Sequence, residues 1–143
     1  MTKIIRTHDD FYLKDKRKQN TKENFKFLFK ILKKKISKKK TYDVIDIGCS
    51  NGELIFSLEK NFENFNITGL DIRKDLINKA KKNVSKNVDF INRDISKRKF
   101  ILKKKYDLII FSGILCIFDN PKIVFKNLLK ILKPKGQIYI FDH

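Results

Sequence analysis

Val44-Ile45-Asp46-Ile47-Gly48-Cys49-Ser50-Asn51-Gly52-Glu53 passes from an apolar run, through a loop bracketed by two glycines, into the helically spaced ELIFSLEKNF. A short β-branched run that leads straight into a glycine loop and a helix opens a strand–loop–helix unit. Gly48 and Gly52 let the backbone approach a ligand closely and take dihedrals that a Cβ forbids. Free amides at the start of the following helix suit an anionic group. The same rhythm continues outward. NITGLDI, VDFIN, YDLIIFSG and QIYIFD are further apolar runs, separated by the helical KDLINKAKKNV, the polar SKRKFILKKK and a helix from Pro121 to Leu132. Near-continuous apolar strands alternating with helices predict an α/β sheet, mainly parallel and covered on both faces. Its ligand is expected beyond the carboxyl ends of the strands, near the switch point of a doubly wound frame.

Upstream, Phe25, Leu28, Phe29, Leu32 and Ile36 recur at helical spacing, and Asn20 followed by Glu23 has the form of a capping box, so Thr21 to Ile36 is expected to be an amphipathic helix. This divides the chain into a basic N-terminal segment, 1–40, and an α/β core, 41–143. Downstream, Asn120-Pro121 places a capping residue before proline at the first helical position, and Lys133-Pro134-Lys135-Gly136 is expected to end that helix and turn into the last strand.

The chain has 143 residues, 41% of them hydrophobic, enough for one domain with a real core. No run approaches a membrane span and the N-terminus lacks a signal-peptide core, so a cytoplasmic protein is expected. Cys49 and Cys116 lie far apart without metal-ligand spacing, so no metal site is expected; Cys116, inside IIFSGILCIF, is expected in the core. A net charge of +18 fits a nucleic-acid partner. It also has a plainer source: Lys, Ile, Asn and Phe make up about half of the residues and alanine occurs only at Ala80, the skew that AT-rich codons produce. Charge alone names no partner.

Asp71 ends the second apolar run, nineteen residues after Gly52. An acidic residue at that place can accept hydrogen bonds from both hydroxyls of a ribose. The glycine spacing argues against a dinucleotide, because G-x-G-x-x-G counted from Gly48 puts Ser50 and Glu53 where the second and third glycines belong. The pattern instead resembles the first motif of class I S-adenosylmethionine-dependent methyltransferases, D-x-G-x-G-x-G, with Asp46, Gly48 and Gly52 matching and Ser50 in place of the middle glycine. Gly69-Leu70-Asp71-Ile72, Asn92-Arg93-Asp94-Ile95, Tyr106-Asp107-Leu108-Ile109-Ile110 with Phe111-Ser112-Gly113, and Leu128 to Gly136 resemble the later motifs, in the family's order, over roughly residues 42–142.

The resemblance implies a three-layer, Rossmann-like fold of the class I methyltransferase type, with S-adenosyl-L-methionine as cofactor. It implies cofactor-binding residues Asp46, Gly48, Cys49, Ser50, Gly52, Asp71, Ile72, Asp94, Ile95 and Ser112. Asp71 would hold the ribose, Ile72 pack on the adenine and Asp94 take the adenine amino group. Each has a plainer alternative: Asp46 as a strand-end residue bonding nearby amides, Asp94 as a turn cap, Gly69 as a packing glycine, Asp107 as a turn residue. Phe11 and Tyr12 offer either packing or closure over the methionine end of the cofactor.

No catalytic base is assigned, since Ser112, Gly113, Asp119, Asp142 and His143 show no readable pairing. Phe111-Ser112-Gly113-Ile114 is neither the D-P-P-Y-like turn of DNA amino-methyltransferases nor the Pro-Cys of the cytosine-C5 class. The acceptor is unidentified; a small molecule is favoured, and a catalytically inactive, basic RNA- or partner-binding module is the alternative. Relative to the family, the chain is expected to lack the usual sixth and seventh strands. An open edge along Ile138, Ile140 and Phe141 is then expected to favour self-association or a partner.

Overall fold

The computed structural model describes residues 22–141. In chain order the elements are helix α1 (Glu23–Lys35), strand β1 (Tyr42–Ile47), helix α2 (Glu53–Asn61), strand β2 (Phe65–Asp71), helix α3 (Lys74–Asn83), strand β3 (Asp89–Asn92) and strand β4 (Tyr106–Ser112). A 3₁₀ turn (Leu115–Ile117), helix α4 (Pro121–Lys130) and strand β5 (Leu132–Phe141) follow. The sheet order is β3-β2-β1-β4-β5, and every pairing is parallel. The order reverses between β1 and β4, which makes that pair the switch point.

Alternation along the two central strands explains the three layers. Val44, Leu108 and Ile110 face one side and pack with Phe25, Leu28, Phe29 and Leu32 of α1 and Leu54, Ile55 and Leu58 of α2. Ile45, Ile47, Ile109 and Phe111 face the other side, against Val124 and Leu128 of α4. Strands buried on both faces have no polar side to show, which is why YDVIDI and YDLIIFS are so apolar. The buried face of α1 contributes four side chains at roughly 1.5–3 kcal/mol each, before the entropy of ordering them. Phe29 meets Phe62 edge-on at 5.6 Å, and Phe62 stacks on Phe65 at 4.5 Å, joining α1 to β2 through the end of α2.

Several local expectations are corrected. The first helix starts at Glu23 with Lys22 at its N-cap and no side-chain cap bond, and the Glu23 carboxylate takes Lys26 at 2.6 Å. Asn20 itself lies outside the described residues, as do Phe11, Tyr12, Asp142 and His143. Helix α4 ends at Lys130, not Leu132, and Asn120 occupies its N-cap without a side-chain cap bond. Lys133-Pro134-Lys135-Gly136 is an irregularity inside β5, where the register jumps between Tyr106 and Leu108 and Lys135 takes a φ of +67°. Proline is tolerated there because β5 is an edge strand. Cys116 is exposed, because Gly113 at φ +64° turns the chain out of the sheet and into the 3₁₀ turn.

The amino-terminal ends of β1 and β4 carry an ion cluster. The Lys133 ammonium lies 2.7 Å from Asp43 and 2.9 Å from Asp107, Lys104 reaches Asp43 at 3.3 Å, and Asp107 also accepts the Asp43 amide at 2.8 Å. Burial disfavours the charged form of both carboxylates, but the lysines and the amide outweigh it and hold both below the usual range. The hydrogen bonds to Asp43 and Asp107 raise the Lys133 ammonium above the usual lysine value. Asp107 is therefore a structural residue at the end of the sheet away from the ligand side.

Candidate functional site

The carboxyl ends of β1 and β2 are tied by the loop that follows β1. Gly48 and Cys49 both donate their amides to Leu70 O, at 2.7 and 3.0 Å, so the chain bends over the end of β2. That bend needs a φ of +74° at Gly48, where an added Cβ would lie 2.5 Å from Ile114 Cδ1. Ser50 also takes a positive φ, +50°. Its amide is thereby aimed at Asp71 Oδ2, 2.8 Å away, while Arg73 N reaches Asp71 Oδ1 at 2.8 Å. Each carboxylate oxygen is thus oriented by one backbone donor and keeps acceptor capacity for a ligand.

Gly52, at φ +81°, forms the N-cap of α2 and fits against α3, where its missing Cβ would stand 3.0 Å from Ala80 Cβ. Asn83 Nδ2 donates to Asn51 O at 3.1 Å and fixes the loop from the same helix.

The segment after β3 is held as firmly. Asp94 Oδ1 accepts Ser96 N at 2.9 Å and Ser96 Oγ at 2.6 Å. Beneath it, the buried Asn127 of α4 donates through Nδ2 to Ile95 O at 2.7 Å and Lys97 O at 2.8 Å. Asn92 Nδ2 bridges back to Asp71 O and Ile72 O at 3.0 and 2.8 Å.

These ends enclose a cavity of about 460 Å³, the size of a small-molecule site. Gly48, Asp71, Ile72, Asp94 and Ile95 line it. Asp46, Cys49, Ser50, Gly52 and Ser112 do not: Asp46 is buried in β1, Cys49, Ser50 and Gly52 belong to the loop itself, and Ser112 lies half-buried at the end of β4, paired with Phe141. Gly69 is a packing glycine, with an added Cβ 2.8 Å from Ile55 and Phe90 and 2.9 Å from Cys49 Sγ. The lining also contains residues not singled out from sequence: an apolar wall of Ile114, Ile117 and Phe118, and a basic side of Arg73, Arg93, Lys97 and Arg98. Their nearness in sequence to Asp71, Asp94 and Gly113 was the available signal.

Burial, reinforced by the charge of Asp71, pushes the Asp46 carboxyl well above the carboxylate range. Burial, with the same acids adding to it, pushes the Cys49 thiol up, which keeps it a protonated packing residue rather than a nucleophile.

A family described as "Methyltransferase domain" matches residues 38–143. Malonyl-[acyl-carrier protein] O-methyltransferase 2 of Ilyobacter polytropus is 34% identical over 102 residues, covering 70% of this chain and 39% of that protein. The malonyl-[acyl-carrier protein] O-methyltransferase of Halalkalibacterium halodurans is 35% identical over 104 residues, covering 70% and 38%. The chain thus spans about two fifths of the length of these curated relatives. Among solved structures, the plantazolicin methyltransferase BpumL, in complex with a pentazolic desmethylPZN analog and SAH, superposes with a TM-score of 0.68 at 29% identity, covering 83% of this chain and 45% of that one. With the five-stranded order, the glycine loop and Asp71 at the end of β2, the chain belongs to the class I S-adenosylmethionine-dependent methyltransferases.

Proposed function

We propose that this chain is the cofactor-binding core of an enzyme that transfers a methyl group from S-adenosyl-L-methionine to a small-molecule acceptor. The observation that carries it is Asp71: a carboxylate on the cavity wall, each oxygen already oriented by a backbone amide, as a ribose diol requires. A further feature fits the cofactor: Gly48, on the cavity wall, permits an approach that no Cβ would allow.

In this reading Asp71 holds the ribose, Ile72 packs against the adenine, and Asp94 and Ile95 meet its edge. Gly48 receives the methionine part, Asp46, Cys49, Ser50 and Gly52 shape the loop around it, and Ser112 stands at the methyl end. When bound, S-adenosylmethionine supplies an electrophilic methyl group on a sulfonium. The residues around the cavity align and desolvate, which in favourable cases lowers a barrier by roughly 7–11 kcal/mol. No side chain is assigned as a base, and a nucleophile already ionised at neutral pH needs none. The desmethylPZN analog bound by BpumL supports an acceptor of small-molecule size, while the malonyl-[acyl-carrier protein] O-methyltransferases are named for a group carried on a protein. Among the described residues no helix is long and apolar enough to cross a membrane, and both cysteines are free thiols, which accords with a cytoplasmic setting.

The test is calorimetric titration of S-adenosylhomocysteine into the wild-type chain and into Asp71→Ala. Saturable binding by the first, weakened at least tenfold in the second, supports the site. Absence of binding by a wild-type chain shown to be folded by circular dichroism refutes it for this chain.

A further inference from the structure

The space that Gly48 leaves by lacking a Cβ is not empty. A Cβ built there would lie 2.5 Å from Ile114 Cδ1 and 3.1 Å from Ile114 Cγ2, so the isoleucine side chain fills the volume over the glycine. Ile114 is 2% exposed, although both it and Gly48 line the cavity. The backbone delivers it there. Gly113, at φ +64° and with its amide on Phe141 O at 2.8 Å, turns the chain off the end of β4, and the turn closes from Ile117 N to Ile114 O at 3.3 Å. The other loop glycine, Gly52, is filled by Ala80 of α3 and does not line the cavity, so Ile114 covers the glycine that a ligand meets. Carbon atoms in contact stand about 3.5–4 Å apart. A ligand atom that comes as close to Gly48 as the missing Cβ allows and the Ile114 δ-methyl therefore exclude each other.

We propose that Ile114 is the entry gate of the cofactor site: its δ-methyl closes the Gly48 cradle in the unliganded chain, and that side chain must swing aside before S-adenosylmethionine can bind. The inference rests on the proposed function, which places the methionine part against Gly48. The atom in the way is the far end of the side chain, so it leaves by rotation between staggered wells while β4 keeps its place in the sheet. The apparent affinity of a site is reduced by the fraction of molecules in which it is open, so the gate weakens cofactor binding without touching the groups that hold the ribose.

The test is NMR of the wild-type chain with isotope-labelled isoleucine δ-methyls, beside the variants I114V and I117V. I114V removes the atom nearest the cradle and, by the resonance it loses, identifies it; Ile117 lines the same cavity and is not among the atoms nearest Gly48. The free chain should show a nuclear Overhauser contact between the Ile114 δ-methyl and the Gly48 α protons, and saturating S-adenosylhomocysteine should abolish it. By calorimetry, S-adenosylhomocysteine should bind I114V about two- to tenfold more tightly than wild type, and I117V within about twofold of wild type. A contact that survives saturation overturns the gate, as does equal or weaker binding by I114V, because Ile114 then stays in place or packs on the ligand. A folded wild-type chain that binds no S-adenosylhomocysteine refutes the cofactor reading and the gate with it, whereas a chain that binds and keeps the contact refutes the gate alone.

Discussion

Ser50 occupies a position where the backbone asks for glycine, and replacing it tests both the loop's energetics and its use. Its φ of +50° is in the left-handed region, which costs an L-residue roughly 1–2 kcal/mol. Its Oγ is buried without a partner, an additional cost of about 1–3 kcal/mol. Against these, glycine gives the unfolded chain extra freedom, worth about 0.5–1 kcal/mol. Ser50→Gly is therefore expected to stabilise the unliganded chain by about 1–4.5 kcal/mol, moving a urea midpoint upward by roughly 1–2 M at ordinary slopes. The hydroxyl does not line the cavity, so S-adenosylhomocysteine should bind with wild-type affinity. A variant that is no more stable than wild type refutes the strain argument; one that is more stable but binds markedly more weakly shows that Oγ does meet the ligand.

Three other perturbations probe the frame around the cavity. Asn127→Leu keeps the volume but strips the donor from Ile95 O and Lys97 O, with an expected loss of about 2–4 kcal/mol in urea denaturation and weaker binding of S-adenosylhomocysteine under conditions where the variant is folded; a loss under about 0.5 kcal/mol would sink the pinning role. Asp46 holds its proton to higher pH folded than unfolded, so wild-type stability should fall as pH rises from the unfolded value near 3.9 toward the raised folded one. Asp46→Asn should flatten that slope and gain on wild type at pH 8, and parallel profiles for the two proteins would count against it. Lys133→Met should cost about 1 kcal/mol at pH 7, discounted because the lysine is 35% exposed. Asp43 and Asp107 lose their contribution as pH falls through their lowered folded values, and Lys133 loses its own as pH rises through its raised one, so the difference between variant and wild type should shrink as pH falls below the ordinary carboxylate range. A cost that persists there would place the effect in packing.

The central frame was legible because it rests on one-dimensional signals. Two-sided burial makes β1 and β4 continuous apolar runs, and glycine marks the places where φ is positive at Gly48 and Gly52. Asp71 was legible from its place nineteen residues after Gly52, and Asp94 from the resemblance of Asn92-Arg93-Asp94-Ile95 to a family motif. The rest depends on contacts distant in sequence. Nothing near Asn127 says that it holds a segment thirty residues upstream, and nothing around Cys116 says that the chain leaves the sheet three residues earlier. The ten candidate residues divide on the same ground: sequence marks the loop, but which of its atoms face the cavity is decided by how it folds over Leu70, and that turns Cys49, Ser50 and Gly52 away from the lining.

The contact between Gly52 and Ala80 has a consequence for how this sequence changes over generations. In a sequence with the composition that AT-rich codons produce, alanine stands at one position only. That position is where a Cβ on the facing glycine would already be 3.0 Å away, and where any side chain longer than a methyl would push into the loop that orients Asp71. The one alanine of the sequence thus stands where little more than a methyl group fits beside Gly52. Among sequences of similar composition, positions 52 and 80 should change together or not at all.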